Sequence, residues 1–243
     1  MHPEVCTIGP FTIYSYGLML ALAFVVGQYL ASRQARKEKF NPEAVFNFLF
    51  LSVISGIAGA RIFYVLENLR YYLGDPLEII MFQHGGLSWF GGLILGACCG
   101  LLYLKRKGMP IYRVLDLVAP FIALSQAIGR IGCLLNGCCY GKAAEWGFWF
   151  PEKGEFLIPT QVCSSLALIL IFFALRFMQE RPHKNGEIFF AYLLLYSLKR
   201  FFIEFWRGDN PVVLRGMTLF QILSVIVFFL ALTKLVIIKK KNG

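Results

Sequence analysis

The chain has 243 residues, of which 58% are hydrophobic and only 16% charged, and its mean hydropathy is +0.63. A water-soluble domain covers its surface with roughly a quarter charged residues, so a soluble globular protein is excluded and an integral membrane protein is indicated. The net charge of +10 raises nucleic acid as a partner, but the basic residues are distributed as a topology signal and no nucleic acid is expected.

In chain order, the N-terminal stretch MHPEVCTIGPFTIYSYG has no basic segment ahead of an apolar core and no small-residue cleavage site. The first apolar segment is therefore expected to stay in the membrane rather than be removed as a signal peptide. Runs approaching the length that crosses a bilayer, about 20 residues, fall near 11–32, 44–65, 86–104, 113–136, 160–178, 187–206 and 217–238. They predict an all-α polytopic membrane protein of about seven transmembrane helices, a single domain over residues 1–243. Segments near 66–85 (with RYYLGDPLEIIMFQ inside it) and 140–158 are too mixed to span and are expected as small elements at the outer face.

Orientation follows from alternate loops. Arg33, Arg36, Lys37 and Lys39 follow the first segment; Lys105, Arg106, Lys107 and Arg113 follow the third; Arg176, Arg181 and Lys184 follow the fifth; and Lys234, Lys239, Lys240 and Lys241 end the chain. By the positive-inside rule these loops face the cytoplasm, which puts the N-terminus outside and the C-terminus inside. Close helix packing has its own signature. Gly92, Gly96 and Gly100 recur every four residues in the third segment, and Gly129, Cys133 and Gly137 in the fourth, with Gly141 continuing the interval. Small residues so spaced let helix backbones approach where apolar burial gives little drive.

Arg61, Arg130, Arg200 and Arg207 are not explained by topology; they fall in or near the outer halves of the second, fourth and sixth segments. An arginine in hydrocarbon costs roughly 2.5–3.5 kcal/mol on insertion scales and normally faces a partner or a wet cavity. In KRFFIEFWRGD, Arg200, Glu204 and Arg207 stand at i, i+4 and i+7 on one helix face. An Arg200–Glu204 ion pair accounts for two of them and leaves the other arginines without an evident counter-ion. The planar arginine fork suits phosphate, and phospholipid headgroups supply phosphate at this depth. The pattern points to a cavity, open to the outer leaflet, that holds an anionic lipid headgroup.

Cys138 and Cys139 in GCCYG, with Cys133 close by in sequence, invite a metal or redox reading, but a zinc site wants two further ligands and no histidine lies near in sequence. Packing, or lining a cavity, is the plainer role, and no metal is expected. His84 stands at the outer entrance of the third segment, as a structural histidine or as the one imidazole placed to act as a base near the arginines. Tyr16 has the position of an interfacial belt residue.

The ordered set YGLM (Tyr16 to Met19), GARIFYV (Gly59 to Val65), GGLSWFGGLI (Gly85 to Ile94), GRIGCLLNGCCYG (Gly129 to Gly141), PTQ (Pro159 to Gln161) and RFFIEFWR (Arg200 to Arg207) resembles the prolipoprotein diacylglyceryl transferase family over nearly the whole chain. The resemblance implies a bacterial plasma (inner) membrane enzyme without a cofactor. Its reaction moves the diacylglyceryl group of phosphatidylglycerol onto the lipobox cysteine thiol of a preprolipoprotein signal peptide, and glycerol phosphate leaves. Membrane lipids are the remaining partners. By the same resemblance Arg130 and Arg200 match the family's essential arginines and Glu204 their glutamate partner, while Tyr16, Asn136 and Gly141 match its tyrosine, asparagine and glycine. The catalytic set expected is Arg130, Arg200, Glu204 and Tyr16; the substrate-binding set is Arg130, Asn136, Gly141, Arg207, Arg61 and His84. Two positions depart from the family: Phe90 stands where many members have histidine, and Cys133 where many have asparagine. The alternatives are a non-catalytic phospholipid-binding or transport protein on the same fold, and a thiol-redox protein using Cys133, Cys138 and Cys139.

Overall fold

The computed structural model describes residues 4–8, 11–81, 85–214 and 216–240. Seven long helices stand where seven apolar segments were expected: α1 (Ser15–Lys37), α2 (Pro42–Glu67), α4 (Trp89–Arg106), α5 (Ile111–Leu135), α6 (Thr160–Gln179), α7 (Glu187–Glu204) and α8 (Leu219–Lys240). Helix α3 (Leu69–Gly74) and a 3-10 turn at Pro76–Ile80 lie between α2 and α4. Of these, α1, α2, α5, α6 and α8 are long and apolar enough to cross a membrane. Helices α4 and α7 have 18 residues each, and α7 carries Glu187, Lys199, Arg200 and Glu204.

Three antiparallel hairpins interrupt the all-helical expectation: β1–β2 (Glu4–Ile8 with Phe11–Tyr14), β3–β4 (Ala143–Phe150 with Glu155–Leu157) and β5–β6 (Val212–Leu214 with Met217–Thr218). The first segment was expected to be helical from residue 11; instead Phe11–Tyr14 is a strand and the helix runs from Ser15 to Lys37. Hydropathy did not separate this stretch from the helix, because a β-branched, aromatic strand and a helix turn are equally apolar. In the 140–158 segment the same kind of residues, AAEWGFWF, form β3.

The chain divides into two compact units, one of residues 31–114 and one of residues 1–30 with 115–243. In the first, α2 and α4 meet through glycine. A Cβ on Gly91 would stand 2.3 Å from the Gly59 carbonyl oxygen, and one on Gly96 2.8 Å from that of Ser52. The expected spacing of Gly92, Gly96 and Gly100 is therefore a helix contact, with Gly56, Gly59 and Ser52 as its other side.

The second unit is built from the upper part of α1 and from α5 to α8. Its core lies between α5, α6 and α7, around Ala119, Ala123, Ile171, Leu175, Ile188, Ala191 and Tyr192. Outside the core the usual polarity is inverted: Leu170 is 70% and Leu230 63% exposed, whereas Ser164, Ser197 and Gln221 are buried. Apolar-out and polar-in suits hydrocarbon as the solvent. Small hydroxyls join helices through backbone carbonyls, Ser125 Oγ to Ala23 O at 2.8 Å and Ser165 Oγ to Ala127 O at 2.9 Å. At one end of this unit the buried carboxylate of Asp116 accepts the backbone N–H groups of Gly186 and Phe189 and so caps α7. The same end holds the Lys184 ammonium, which donates to the Lys239 carbonyl at 2.9 Å.

Candidate active site

The opposite end of the same unit gathers the charged residues. It begins where α5 stops. Gly137 takes φ +70°, the Cys138 N–H donates to the Cys133 carbonyl and the Gly137 N–H to that of Leu134, both at 3.1 Å. This is a Schellman ending, in which glycine supplies the left-handed residue. Beyond it Gly141 bridges to Arg207 as an isolated antiparallel pair. The Gly141 N–H reaches the Ile158 carbonyl at 2.9 Å, and the Lys142 N–H that of Trp206 at 2.8 Å. A Cβ on Gly141 would lie 2.6 Å from Ile158 Cβ and 2.7 Å from the Trp206 carbonyl. Only glycine lets the segment after α5 run against the end of α7. This strap is how α5 and α7 present their arginines together.

Glu204, in the last turn of α7, is buried at 2% exposure. Its Oε2 stands 2.9 Å from Arg200 Nη2; its Oε1 accepts from Asn210 Nδ2 at 2.6 Å and from Thr218 Oγ1 at 2.8 Å. Thr218 also N-caps α8: its N–H donates to Gln221 Oε1 and its hydroxyl accepts the Gln221 N–H, a capping box at 2.9 and 3.3 Å. The carboxylate is thus fixed by α7, the loop after it and the start of α8. Arg200 is held from a second side, its guanidinium 4.5 Å from the Phe220 ring centre.

Arg207 forks onto Asp209, Nε to Oδ1 at 2.8 Å and Nη2 to Oδ2 at 2.6 Å. This bidentate pair holds the guanidinium charged despite its partial burial, its pKa above the ordinary value through the Asp209 hydrogen bonds. Arg130 on α5 lies within electrostatic reach of Tyr196, Cys133, Cys139 and Arg207, and no carboxylate pairs with it among the described residues. Arg200 in turn feels both Arg207 and Arg130. Arg130 of α5 and Arg200 of α7 thus stand within one another's electrostatic field.

Two groups here were absent from the expected site. Lys199 is buried, donates to Ser164 Oγ at 3.0 Å, sits 4.5 Å over the Tyr196 ring, and shares the field of Arg130, Arg200 and Arg207. Gln161, from PTQ, donates through Nε2 to the Cys138 carbonyl at 2.7 Å, and its Oε1 is buried without a hydrogen-bond donor among the described residues. A basic residue beside Arg200 in sequence gives no sign of facing inward, whereas the PTQ motif was available as a signal.

Tyr16, at the start of α1, lies within reach of Arg130 and of the three thiols. Its ring packs near Gly132, where a Cβ would stand 3.4 Å from Tyr16 Cδ2. It is Gly132, not Gly129, that brings α1 close to α5; a Cβ on Gly129 would meet only Leu20, at 3.7 Å. Asn136 follows α5, and its side chain lies near the Cys138 thiol. His84 lies outside the described residues.

Arg61 belongs to the other unit and is 3% exposed. Its guanidinium donates to the carbonyls of Ile79, Gly86 and Met81 at 3.0, 3.0 and 3.2 Å, and also to those of Glu78 and Gly85. It lies 5.3 Å from the Tyr72 ring centre. Backbone carbonyls thus occupy the fork that the sequence reading assigned to phosphate. Phe90, in the first turn of α4, packs edge to face against Trp89 at 5.2 Å.

Comparison with known proteins bears on what this cluster does. The family model described as prolipoprotein diacylglyceryl transferase matches residues 3–237. The phosphatidylglycerol–prolipoprotein diacylglyceryl transferase of Clostridium tetani (strain Massachusetts / E88) is 33% identical over 216 residues, covering 86% of either chain. The protein of the same name from Streptococcus pyogenes serotype M5 (strain Manfredo) is 32% identical over 253 aligned residues, covering 100% of this chain and 97% of that one.

Proposed function

The chain belongs to the prolipoprotein diacylglyceryl transferase family, and from that premise we propose that it transfers the diacylglyceryl group of phosphatidylglycerol to the lipobox cysteine of a prolipoprotein. The observation that carries the reading is the meeting of Arg130, Arg200 and Arg207 with only Glu204 and Asp209 as their carboxylates among the described residues. An excess of fixed positive charge in an apolar setting calls for an anionic ligand.

The chemistry fits that excess. The substrate sulfur forms a bond to the glycerol carbon, the C–O pair leaves with the phosphate, and the thiol proton is given up. A phosphodiester with one negative charge becomes a monoester carrying about 1.5 to 2. Negative charge therefore grows on the phosphate along the reaction, and fixed cations stabilise the transition state more than the bound lipid. Arg130, free of a carboxylate, takes the phosphate; Arg200, aimed by Glu204, takes the developing charge. Arg207 adds to the field, and Tyr16, Asn136 and the Gln161 Oε1 hydrogen-bond the headgroup. Gly141 permits the strap, and Arg61 ties down the backbone carbonyls of Glu78, Ile79, Met81, Gly85 and Gly86.

In the membrane all seven long helices span as one domain, with the N-terminus outside and the C-terminus in the cytoplasm. Support comes from the basic last turns of α1, α4, α6 and α8, which put the arginine cluster at the outer end of its unit. The host membrane is the bacterial plasma membrane.

Phe90 favours one second reading, a protein that binds the lipid without transferring it, because phenylalanine accepts no proton where many relatives have histidine. Glycerol phosphate release from phosphatidylglycerol in detergent, with and without a lipobox peptide, separates the two. Peptide-dependent release supports the transferase, and Phe90→His then measures what a base at that position adds. A folded protein that binds the lipid but releases nothing leaves the binding reading.

A further inference from the structure

The thiols of Cys133 on α5 and of Cys138 and Cys139 in the GCCYG turn have no part in the transfer, whose nucleophile belongs to the substrate. The Schellman ending of α5 folds Cys138 back beside Cys133. Cys139 then takes φ +62°, a left-handed conformation that costs a residue with a Cβ about 1–2 kcal/mol. The first turn of α6 holds this conformation: Thr160 Oγ1 donates to the Cys139 carbonyl at 2.6 Å and Gln161 Nε2 to that of Cys138 at 2.7 Å. The Sγ atoms of Cys133, Cys138 and Cys139 thereby lie within 4.8 Å of one another, and no histidine or carboxylate joins them among the described residues. A metal–sulfur bond of about 2.3 Å sets trigonally placed sulfurs about 4 Å apart, so the triad is already close to a coordinating arrangement.

The triad lies beside the guanidinium groups of Arg130 and Arg207. Three thiolates around a monovalent cation leave a negative charge that Arg130, which no carboxylate pairs among the described residues, offsets in part. A tetrahedral zinc site asks for a fourth ligand, whereas an all-thiolate set without one selects a softer ion.

We propose that Cys133, Cys138 and Cys139 form a three-thiolate site for a soft monovalent cation, of which the cuprous ion is the biological example. Three S–H bonds lose their protons, three sulfur–metal bonds form, and no oxidation state changes. An occupied site also draws Arg130 toward the thiolates and away from the lipid phosphate and so lowers diacylglyceryl transfer, a consequence that rests on the function proposed above.

The test uses the full-length chain in detergent under anaerobic conditions, titrated with cuprous ion against bicinchoninate. The expected result is one ion per chain, three protons released, and X-ray absorption from three sulfur neighbours at about 2.3 Å. In the unaltered chain, alkylation by N-ethylmaleimide read by mass spectrometry should show metal protection confined to Cys133, Cys138 and Cys139. Cys133→Ser and Cys139→Ser should each weaken binding by more than the roughly 10–100-fold that loss of an outer-shell partner costs; the double replacement of Cys98 and Cys99 by Ser should leave it unchanged. Uptake no tighter than the competitor, protection at other cysteines, tighter binding of zinc, or full affinity in Cys133→Ser would overturn the site. Metal binding that leaves transfer untouched would remove only the link to the arginines.

Discussion

Glu204 is the residue on which the candidate site turns, because it aims Arg200 while receiving hydrogen bonds from Asn210 and Thr218. Glu204→Gln keeps the shape and removes the charge. Breaking a buried pair by deleting one partner costs about 3–5 kcal/mol, so thermal unfolding in detergent should fall measurably and transfer by at least tenfold. Wild-type stability and rate in that variant would show that Arg200 needs no counter-charge. The i, i+4, i+7 pattern made this residue legible in the sequence. Arg61 was less so, since its partners are backbone carbonyls of the 78–86 segment, and a carbonyl acceptor has no residue-type signature. Lys199 shows the same limit, its inward orientation being set by Ser164 on α6 and not by its neighbours in sequence.

At the scale of elements, glycine decides where segments can touch. Gly141→Ala puts a methyl within 2.8 Å of Ile158 and the Trp206 backbone, which forces apart the strap between α5 and α7. Transfer should drop more than tenfold, while Gly129→Ala, with only Leu20 near, should retain it. Equal effects of the two would show that the four-residue spacing, and not the close approach at Gly141, is what counts. In the other unit, Gly91→Ala drives a Cβ into the Gly59 carbonyl; limited proteolysis should detect loosening of α2 from α4. The sequence displayed the spacing of small residues but not which neighbours they face: Gly96 meets α2, and Gly132 rather than Gly129 meets α1. The α8 capping box, Thr218 with Gln221, was readable in principle. The apolar run begins at 217, two residues before the helix, and so masks the box in hydropathy.

Across the whole molecule, hydropathy located every long helix to within a few residues, since the apolar face toward lipid is the strongest pattern in the chain. It did not find the three hairpins, whose strands are short and as apolar as the helices they precede. The proposed orientation predicts that a reporter active only outside the cell is silent when fused after Lys240 and active when fused near Glu152, in the turn between β3 and β4. The reverse pattern would put the arginine cluster on the cytoplasmic side.

The central claim is that the clustered cations act on charge that develops as glycerol phosphate leaves. Its most direct test is to compare lipid binding with turnover for Arg130→Ala and Arg200→Ala in purified protein, with phosphatidylglycerol and a lipobox peptide. The account predicts that kcat falls by about 100-fold or more, the size seen when one preorganised donor is removed, while lipid Kd changes far less. A loss confined to lipid binding, or turnover that survives either substitution, would contradict it.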